Sequence, residues 1–215
     1  MECYLKRKID SYLVEWKNNP NHKPLIIKGA RQVGKTKSIE FFAKNNYENI
    51  IEINFVSDPI YKQIVENGYT PEAIIKNISR INPEAKFVKR KTLIFFDEIQ
   101  ECSGACASIK SFMLDERFDI IASGSLLEIK GYNQKYSGGI PVGFEHTVYM
   151  KPMDFEEFLW AKGIDDKVIS YLKTCFNNKE QISSAVHQSM LRYFKEYLCV
   201  DGMPSVVDIF LKTND

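Results

Sequence analysis

The sequence predicts an α/β fold in which a mainly parallel sheet of about five strands lies between two layers of helices and is followed by a small helical appendage. Three observations support this fold class. Short apolar runs rich in β-branched residues alternate with segments of helical periodicity up to about residue 150. Those runs are apolar on both faces, as in parallel sheets that helices cover on both sides. From Asp154 onward only helical periodicity remains.

The first expected element is an N-terminal amphipathic helix, within residues 1–20. Apolar side chains recur at helical spacing over residues 4–17, and Lys6, Arg7 and Lys8 fall on the other side. The helix should end at the turn-forming residues 18–21. We expect it to pack on the neighbouring domain, and a helix on a membrane surface is the alternative.

The sheet domain is expected over residues 21–150. Thr70 is the expected N-cap of one of its helices, with Pro71 as the first helical residue. Strands are predicted at residues 24–28, 50–55, 92–96, 119–122 and 147–150. Helical segments are predicted at residues 36–46, 59–81 and 104–115, and the second of them has a break at residues 69–71.

The helical appendage is expected over residues 151–215. Asp154 followed by Glu157 resembles a capping box, which predicts a helix start at this point. Apolar residues of this helix, among them Phe155 and Phe158, should pack it onto the sheet domain, with an effector-docking surface as the alternative. Helices are predicted at residues 154–162, 165–177 and 180–199.

Composition and charge exclude several classes of protein. The 215 residues are 44% hydrophobic and 27% charged, which is typical of globular chains and excludes disordered and collagen-like ones. The 29 basic and 28 acidic residues leave a net charge of +1, so bulk charge does not indicate nucleic-acid binding. No apolar run approaches the ~18 residues that span a bilayer, and no membrane partner is expected. The five cysteines lack metal-ligand spacing, and reduced thiols favour a cytoplasmic location.

A glycine-rich phosphate loop is the strongest motif in the sequence. The stretch GARQVGKT matches G-x-x-x-x-G-K-[ST] at every fixed position and lies between a predicted strand and a predicted helix. Its backbone N–H groups and the positive end of the following helix are suited to phosphate oxygens. Lys35 is predicted to reach the β- and γ-phosphates, and Thr36 to offer its hydroxyl to Mg²⁺. The predicted nucleotide-binding residues are Gly29, Ala30, Arg31, Gln32, Val33, Gly34, Lys35 and Thr36.

Two carboxylates, Asp97 and Glu98, follow the apolar residues 93–96. The C-terminal end of a central strand lies beside the ligand crevice in open α/β sheets. Asp97 is predicted to hold Mg²⁺ through water, and Glu98 to orient a water molecule for attack on the γ-phosphate. ATP hydrolysis is therefore the predicted reaction, and GTP is disfavoured because the chain lacks the N-K-x-D motif that recognises guanine.

A serine at the end of the fourth strand is the remaining candidate. In P-loop ATPases with an added strand between the phosphate-loop strand and the acidic strand, a polar residue at this position contacts the γ-phosphate or the attacking water. Ser125 is the first choice and Ser123 the second, while hydroxyls that bond turn backbone groups are the structural alternative. The predicted catalytic residues are Lys35, Glu98 and Ser125, and the predicted metal ligands are Thr36 and Asp97.

Four blocks of the sequence resemble, in the same order, a group of prokaryotic AAA-type P-loop ATPases. They are GARQVGKT, DEIQ from Asp97, SGSLL from Ser123 and PMDFEEFL from Pro152, and the stretches PVG at 141–143 and GMP at 202–204 are also similar. The phosphate loop is generic, whereas DEIQ and PMDFEEFL are specific. The chain departs from the group at Asp201, where Gly is usual, and at residues 137–139.

The resemblance covers nearly the whole chain and implies a three-layer P-loop NTPase core of the AAA+ or signal-transduction kind, with ATP and Mg²⁺ as cofactors. In the group this core precedes a C-terminal domain of uncertain, nuclease-like function. The chain, which ends at Asp215, is expected to be a fragment truncated before that domain. The implied partners are this missing effector domain, further copies of the chain and, on the resemblance alone, nucleic acid.

Two functions remain open at this point. The first is Mg²⁺-dependent ATP binding and hydrolysis by a domain that acts as a switch or motor for an effector. The second is a nucleotide-binding signalling module with little turnover of its own. A small-molecule kinase is disfavoured, because a water-orienting Glu98 would hydrolyse its ATP. None of the six arginines lies in a motif that marks an arginine finger, so the isolated chain is expected to be a slow ATPase.

Overall fold

The computed structural model describes residues 4–125 and 145–213. The sequence blocks at 126–127, 137–139 and 141–143 lie outside the described residues. The chain forms two compact units. The sheet unit comprises the described residues of Tyr12–Arg31 and Lys35–Met150. The helical unit comprises the described residues up to Ser11, the residues Gln32–Gly34, and the described residues from Lys151 onward.

Five parallel strands form one sheet in the order β2-β3-β4-β1-β5. This confirms the expected α/β class, because every pairing in the described sheet is parallel. β4 lies between the phosphate-loop strand β1 and the acidic strand β3. The sheet therefore has the added strand on which the prediction for Ser125 depends. The strands are β1 Leu25–Gly29, β2 Asn49–Asn54, β3 Thr92–Asp97, β4 Asp119–Ser125 and β5 His146–Met150.

Both faces of the sheet are buried. All six residues of β3 are buried, which is why its sequence is apolar without alternation. On one face the Phe96 ring contacts Phe55 and Phe112, with ring centroids 5.7 and 6.4 Å apart. On the other face Phe95 is fully buried. The first helices of the chain are α1 Lys8–Asn18, α2 Lys35–Asn46, α3 Pro71–Ile81 and α4 Ser103–Asp115.

Two helix boundaries correct the sequence analysis. The N-terminal helix begins at Lys8 rather than at residue 4, because the backbone N–H of Arg7 donates to Asp10 Oδ2 at 2.8 Å and thereby starts the first turn. The segment predicted as one broken helix over residues 59–81 is a 3₁₀ helix at Pro59–Val65 followed by α3. Thr70 caps α3 as expected, accepting the Ala73 N–H at 3.3 Å.

The helical unit contains α5 Phe155–Ala161, α6 Asp166–Asn178, α7 Ser184–Val200 and α8 Pro204–Thr213. The capping box predicted at the start of α5 is confirmed: Asp154 accepts the Glu157 N–H, and Glu157 accepts the Asp154 N–H, each at 3.0 Å. Phe158 is fully buried, and its ring contacts Tyr197 and Phe210 within the same unit. None of the described helices is long and apolar enough to cross a membrane.

The last helix, α8, was not predicted, because its apolar spacing extends over only ten residues. Val207 from this helix is fully buried with Met153 and Phe158. Gly202 lies just before α8, where its carbonyl accepts the Met153 N–H at 2.7 Å. A Cβ at Gly202 would lie 2.1 Å from the Met153 carbonyl oxygen. The glycine of the GMP stretch is thus required by a close backbone approach.

Candidate functional site

The phosphate loop joins the end of β1 directly to the start of α2. Gln32 and Gly34 have φ angles of 65° and 95°, so the chain reverses within a few residues. Val33 between them is fully buried, while Ala30 and Arg31 are exposed. The first-turn N–H groups of α2 lack partners inside the helix and form, with the loop amides, a site for anionic groups.

Lys35 is held at the base of this loop. Its ammonium donates to the carbonyl oxygens of Gly29 at 3.1 Å and Ala30 at 2.9 Å. An ammonium has three N–H donors, so one remains for a ligand oxygen. Burial lowers the pKa of Lys35, and the negative charges of Glu98 and Asp97 oppose that lowering. The Lys35 ammonium therefore lies within electrostatic range of both predicted carboxylates.

Asp97 connects the phosphate loop to two neighbouring strands. Its Oδ2 atom accepts the Thr36 hydroxyl at 3.0 Å and the Asn54 side-chain amide at 3.0 Å. Its Oδ1 atom accepts the Ser123 hydroxyl and the Glu98 N–H. The carboxylate is buried, and these donors satisfy it. The two predicted metal ligands, Thr36 and Asp97, thus lie together.

Glu98 occupies the turn that follows β3. Its backbone is left-handed, with φ 51° and ψ 47°, which is uncommon for a residue other than glycine and redirects the chain into the 3₁₀ helix Ile99–Glu101. Its Oε2 atom accepts a hydrogen bond from the side-chain amide of Gln100. Strained backbone of this kind is frequent at functional sites.

The two candidate serines have different positions on β4. Ser123 is fully buried, and its hydroxyl donates to Asp97, so it supports the carboxylate. Ser125 lies opposite Gly29 in the β1–β4 register, at the beginning of the phosphate loop. The role of Ser125 at the γ-phosphate remains a prediction.

Asn54 is a site residue that the sequence analysis missed. It ends β2, and its side-chain oxygen accepts the Val56 and Ser57 N–H groups at 2.9 Å while its amide donates to Asp97. A polar residue at a strand end is the only local signal. Its proximity to Asp97 depends on the pairing of β2 with β3, which places Asn54 opposite Asp97.

The residue types at Asp97 suit a magnesium ion bound together with a nucleotide. Mg²⁺ takes oxygen ligands, and it is usually held by one or two protein groups with phosphate oxygens and water. The Thr36 hydroxyl and the Asp97 carboxylate supply such oxygens 3.0 Å apart. This donor set therefore fits the cation that the phosphate loop implies.

Comparisons with known proteins bear on the family and the fold. A family model described as an AAA domain matches residues 21–159. The structure of ORC2 from Aeropyrum pernix in its ADPNP–ADP complexes is similar with a TM-score of 0.50 at 13% identity, over 76% of this chain and 52% of that one. This likeness shows the fold alone, and the chain spans about half the length of that structure.

Two other solved structures are more distant. The ADP form of the same ORC2 protein has a TM-score of 0.47 at 12% identity, over 99% of this chain and 69% of that one. PCH-2 from C. elegans has a TM-score of 0.43 at 12% identity, over 85% of this chain and 50% of that one. No curated protein matches the sequence.

Proposed function

Because the chain belongs to the AAA domain family of P-loop ATPases, we propose that it binds ATP with Mg²⁺ and hydrolyses it to ADP and phosphate, as a switch or motor for an effector domain. The contact between Thr36 and Asp97 is the main support for this proposal. It joins the phosphate loop to the acidic strand, and these two parts hold the phosphates and the metal in nucleotide hydrolases of this kind.

Each residue of the site has a distinct role in this mechanism. The loop amides and the Lys35 ammonium bind the β- and γ-phosphates and position them. Thr36 and Asp97 would hold Mg²⁺, which supplies neutralisation of phosphate charge when bound. Glu98 orients the attacking water and accepts its proton. Asn54 and Ser123 hold Asp97 in place through the hydrogen bonds described above.

A nucleotide-binding signalling module with little turnover is the second candidate. The observation that favours it is the hydrogen bond from Gln100 to Glu98, which engages the carboxylate that should orient water. Hydrolysis would then require a partner or a conformational step that releases Glu98.

The remaining expectations from the sequence belong to the same proposal. They are a cytoplasmic location, assembly with further copies, a C-terminal effector domain, and domain limits at 1–20, 21–150 and 151–215. Contact with nucleic acid rests on the family resemblance alone. The cysteines that the structure describes, Cys102, Cys106, Cys175 and Cys199, are free thiols, which is consistent with a reducing compartment.

The decisive experiment compares ATP hydrolysis by the wild type and by Glu98→Gln across protein concentration. The variant should bind Mg-ATP normally and hydrolyse it at least about 100-fold more slowly, because the water loses its base. Glu101→Gln is the matched control, since Glu101 ends the 3₁₀ helix that follows Glu98 and pairs with Lys62 at 3.2 Å. Wild-type turnover in Glu98→Gln would contradict the assigned role. ATP binding without measurable wild-type turnover would favour the signalling module.

A further inference from the structure

Arg7 is a buried cation that the proposed reaction does not use. It precedes α1, and only 6% of its surface is exposed. Its Nη1 donates to the Val33 carbonyl at 2.7 Å, and its Nη2 donates to the Lys151 carbonyl at 2.7 Å. Its Nε lies 3.2 Å from Glu157 Oε1. The sequence analysis placed Arg7 on the polar side of the helix with Lys6 and Lys8, and the structure corrects this.

The contact with Val33 bears on the phosphate loop itself. Val33 and Gly34 share one peptide unit, and no cis peptide bond occurs in the described chain. In a planar trans peptide the carbonyl and the N–H point in opposite directions. A guanidinium that holds the Val33 carbonyl therefore turns the Gly34 N–H the opposite way. Gly34 can adopt this geometry because it is a glycine with φ 95°.

Glu157 in turn holds Arg7. Its Oε1 accepts the Lys8 N–H at 2.7 Å, at the first residue of α1. Its Oε2 accepts the Asp154 N–H at 3.0 Å, at the N-cap of α5. The Glu157 carboxylate thus accepts hydrogen bonds at the starts of α1 and α5 and also pairs with the Arg7 guanidinium. All of these contacts lie within the helical unit, which includes Gln32–Gly34.

Stabilisation alone is a poor explanation for this arrangement. A buried ion pair carries a large desolvation cost, and an apolar pair of similar volume is often equally stable or more stable. Arginine, however, offers several donors in a rigid planar fork, so it can fix two carbonyl groups in one orientation. In Arg7, the two Nη atoms of the guanidinium donate to the Val33 and Lys151 carbonyls.

We propose that Arg7 is a positioning residue for phosphate binding: it holds the Val33 carbonyl so that the Gly34 N–H stays oriented toward the nucleotide phosphates, and Glu157 of α5 holds Arg7 in place. This inference rests on the proposed nucleotide binding. It gives Arg7, which none of the sequence motifs includes, a role in ligand binding, and it predicts that changes at Arg7 alter ATP affinity.

The test measures Mg-ATP affinity by calorimetry, well below the unfolding midpoint of each variant. Arg7→Lys keeps the charge but loses the planar fork, so ATP binding should weaken on the order of tenfold, about the value of one hydrogen bond to a charged group. Lys8→Met is the matched control. It removes a neighbouring cation that contacts Asp154 and Glu156 of the same capping segment, and it should keep wild-type affinity.

The outcomes separate this inference from the proposed function. If the wild type does not bind ATP, the proposed function fails and the inference fails with it. If the wild type binds and Arg7→Lys binds equally well, only the inference is overturned. An equal loss in Lys8→Met would also overturn it, because general damage to the helical unit would then explain the effect.

A double variant covers the case in which Arg7→Lys does not fold. Arg7→Met combined with Glu157→Gln removes both charges together, so no unpaired ion remains buried. Weakened ATP binding in this folded variant would support the positioning role. Wild-type affinity would show that the guanidinium is not needed and would overturn the inference.

Discussion

At the scale of single residues, the site depends on Asp97 more than on any other side chain described. Four donors reach its carboxylate, from α2, β2, β4 and the backbone of Glu98. A buried carboxylate with this many donors has little freedom to reorient. Under the proposed function, we therefore expect Asn54 and Ser123 to act by holding Asp97 in place.

Lys35 gives the most direct residue-level prediction. Lys35→Ala should weaken ATP binding tenfold or more, because it removes the cation that we propose contacts the β- and γ-phosphates. Lys37→Ala is the matched control, since Lys37 is an exposed lysine of the same helix. Calorimetric titration with Mg-ATP provides the measurement. Equal affinity in the wild type and Lys35→Ala would contradict the phosphate-loop assignment.

At the scale of secondary-structure elements, the end of α7 contains a strained residue. Asp201 follows α7 with φ 67° and ψ 177°, a conformation that is essentially restricted to glycine. Its carboxylate accepts the Gly202 N–H at 2.5 Å. This is the position at which the resembling ATPases usually have glycine, so the departure noted in the sequence coincides with backbone strain.

Asp201→Gly should therefore stabilise the protein by about 1 kcal/mol, because glycine adopts this conformation without steric cost. Thermal and urea unfolding would measure the change. Asp201→Ala is the matched control: it keeps the strained Cβ and loses the carboxylate, and it should be less stable than the wild type. A lower unfolding midpoint for Asp201→Gly would mean that the side-chain hydrogen bond outweighs the strain.

At the scale of the whole molecule, the proposed hydrolysis raises the question of which arginine would stabilise the transferred phosphoryl group. Several of the six contact other groups in the described chain. Arg7 binds the Val33 carbonyl, Arg80 donates to Asn77 at 3.2 Å, and Arg117 donates to Asp115 at 2.6 Å. Phosphoryl transfer gains on the order of 10³–10⁵-fold from an arginine placed against the transferred group.

We expect the monomeric 215-residue chain to hydrolyse saturating Mg-ATP more slowly than ~1 s⁻¹, because we propose that another copy or an effector domain supplies the arginine. The measurement is steady-state phosphate release by the purified monomer, with Glu98→Gln as the blank. A rate of ~1 s⁻¹ or faster in the monomer would show that a group within the chain already suffices.

The sequence by itself determined the features that depend on consecutive residues. The apolar runs predicted all five strands, and the glycines and Lys35 of GARQVGKT predicted the loop between β1 and α2. The capping box of Asp154 and Glu157 was equally visible, because its two hydrogen bonds join residues three positions apart. Short-range hydrogen bonds and side-chain periodicity can be recognised from neighbouring residues in the sequence.

Only the tertiary structure decided which distant residues meet. The partners of Asp97 lie 61, 43 and 26 residues away, at Thr36, Asn54 and Ser123, and strand order brings them together. Arg7 was misplaced because a charged residue among lysines predicts a solvated face, whereas its burial depends on acceptors 26 and 144 residues away at Val33 and Lys151. Burying a charge is favourable only where the fold supplies such partners, and no local pattern records them.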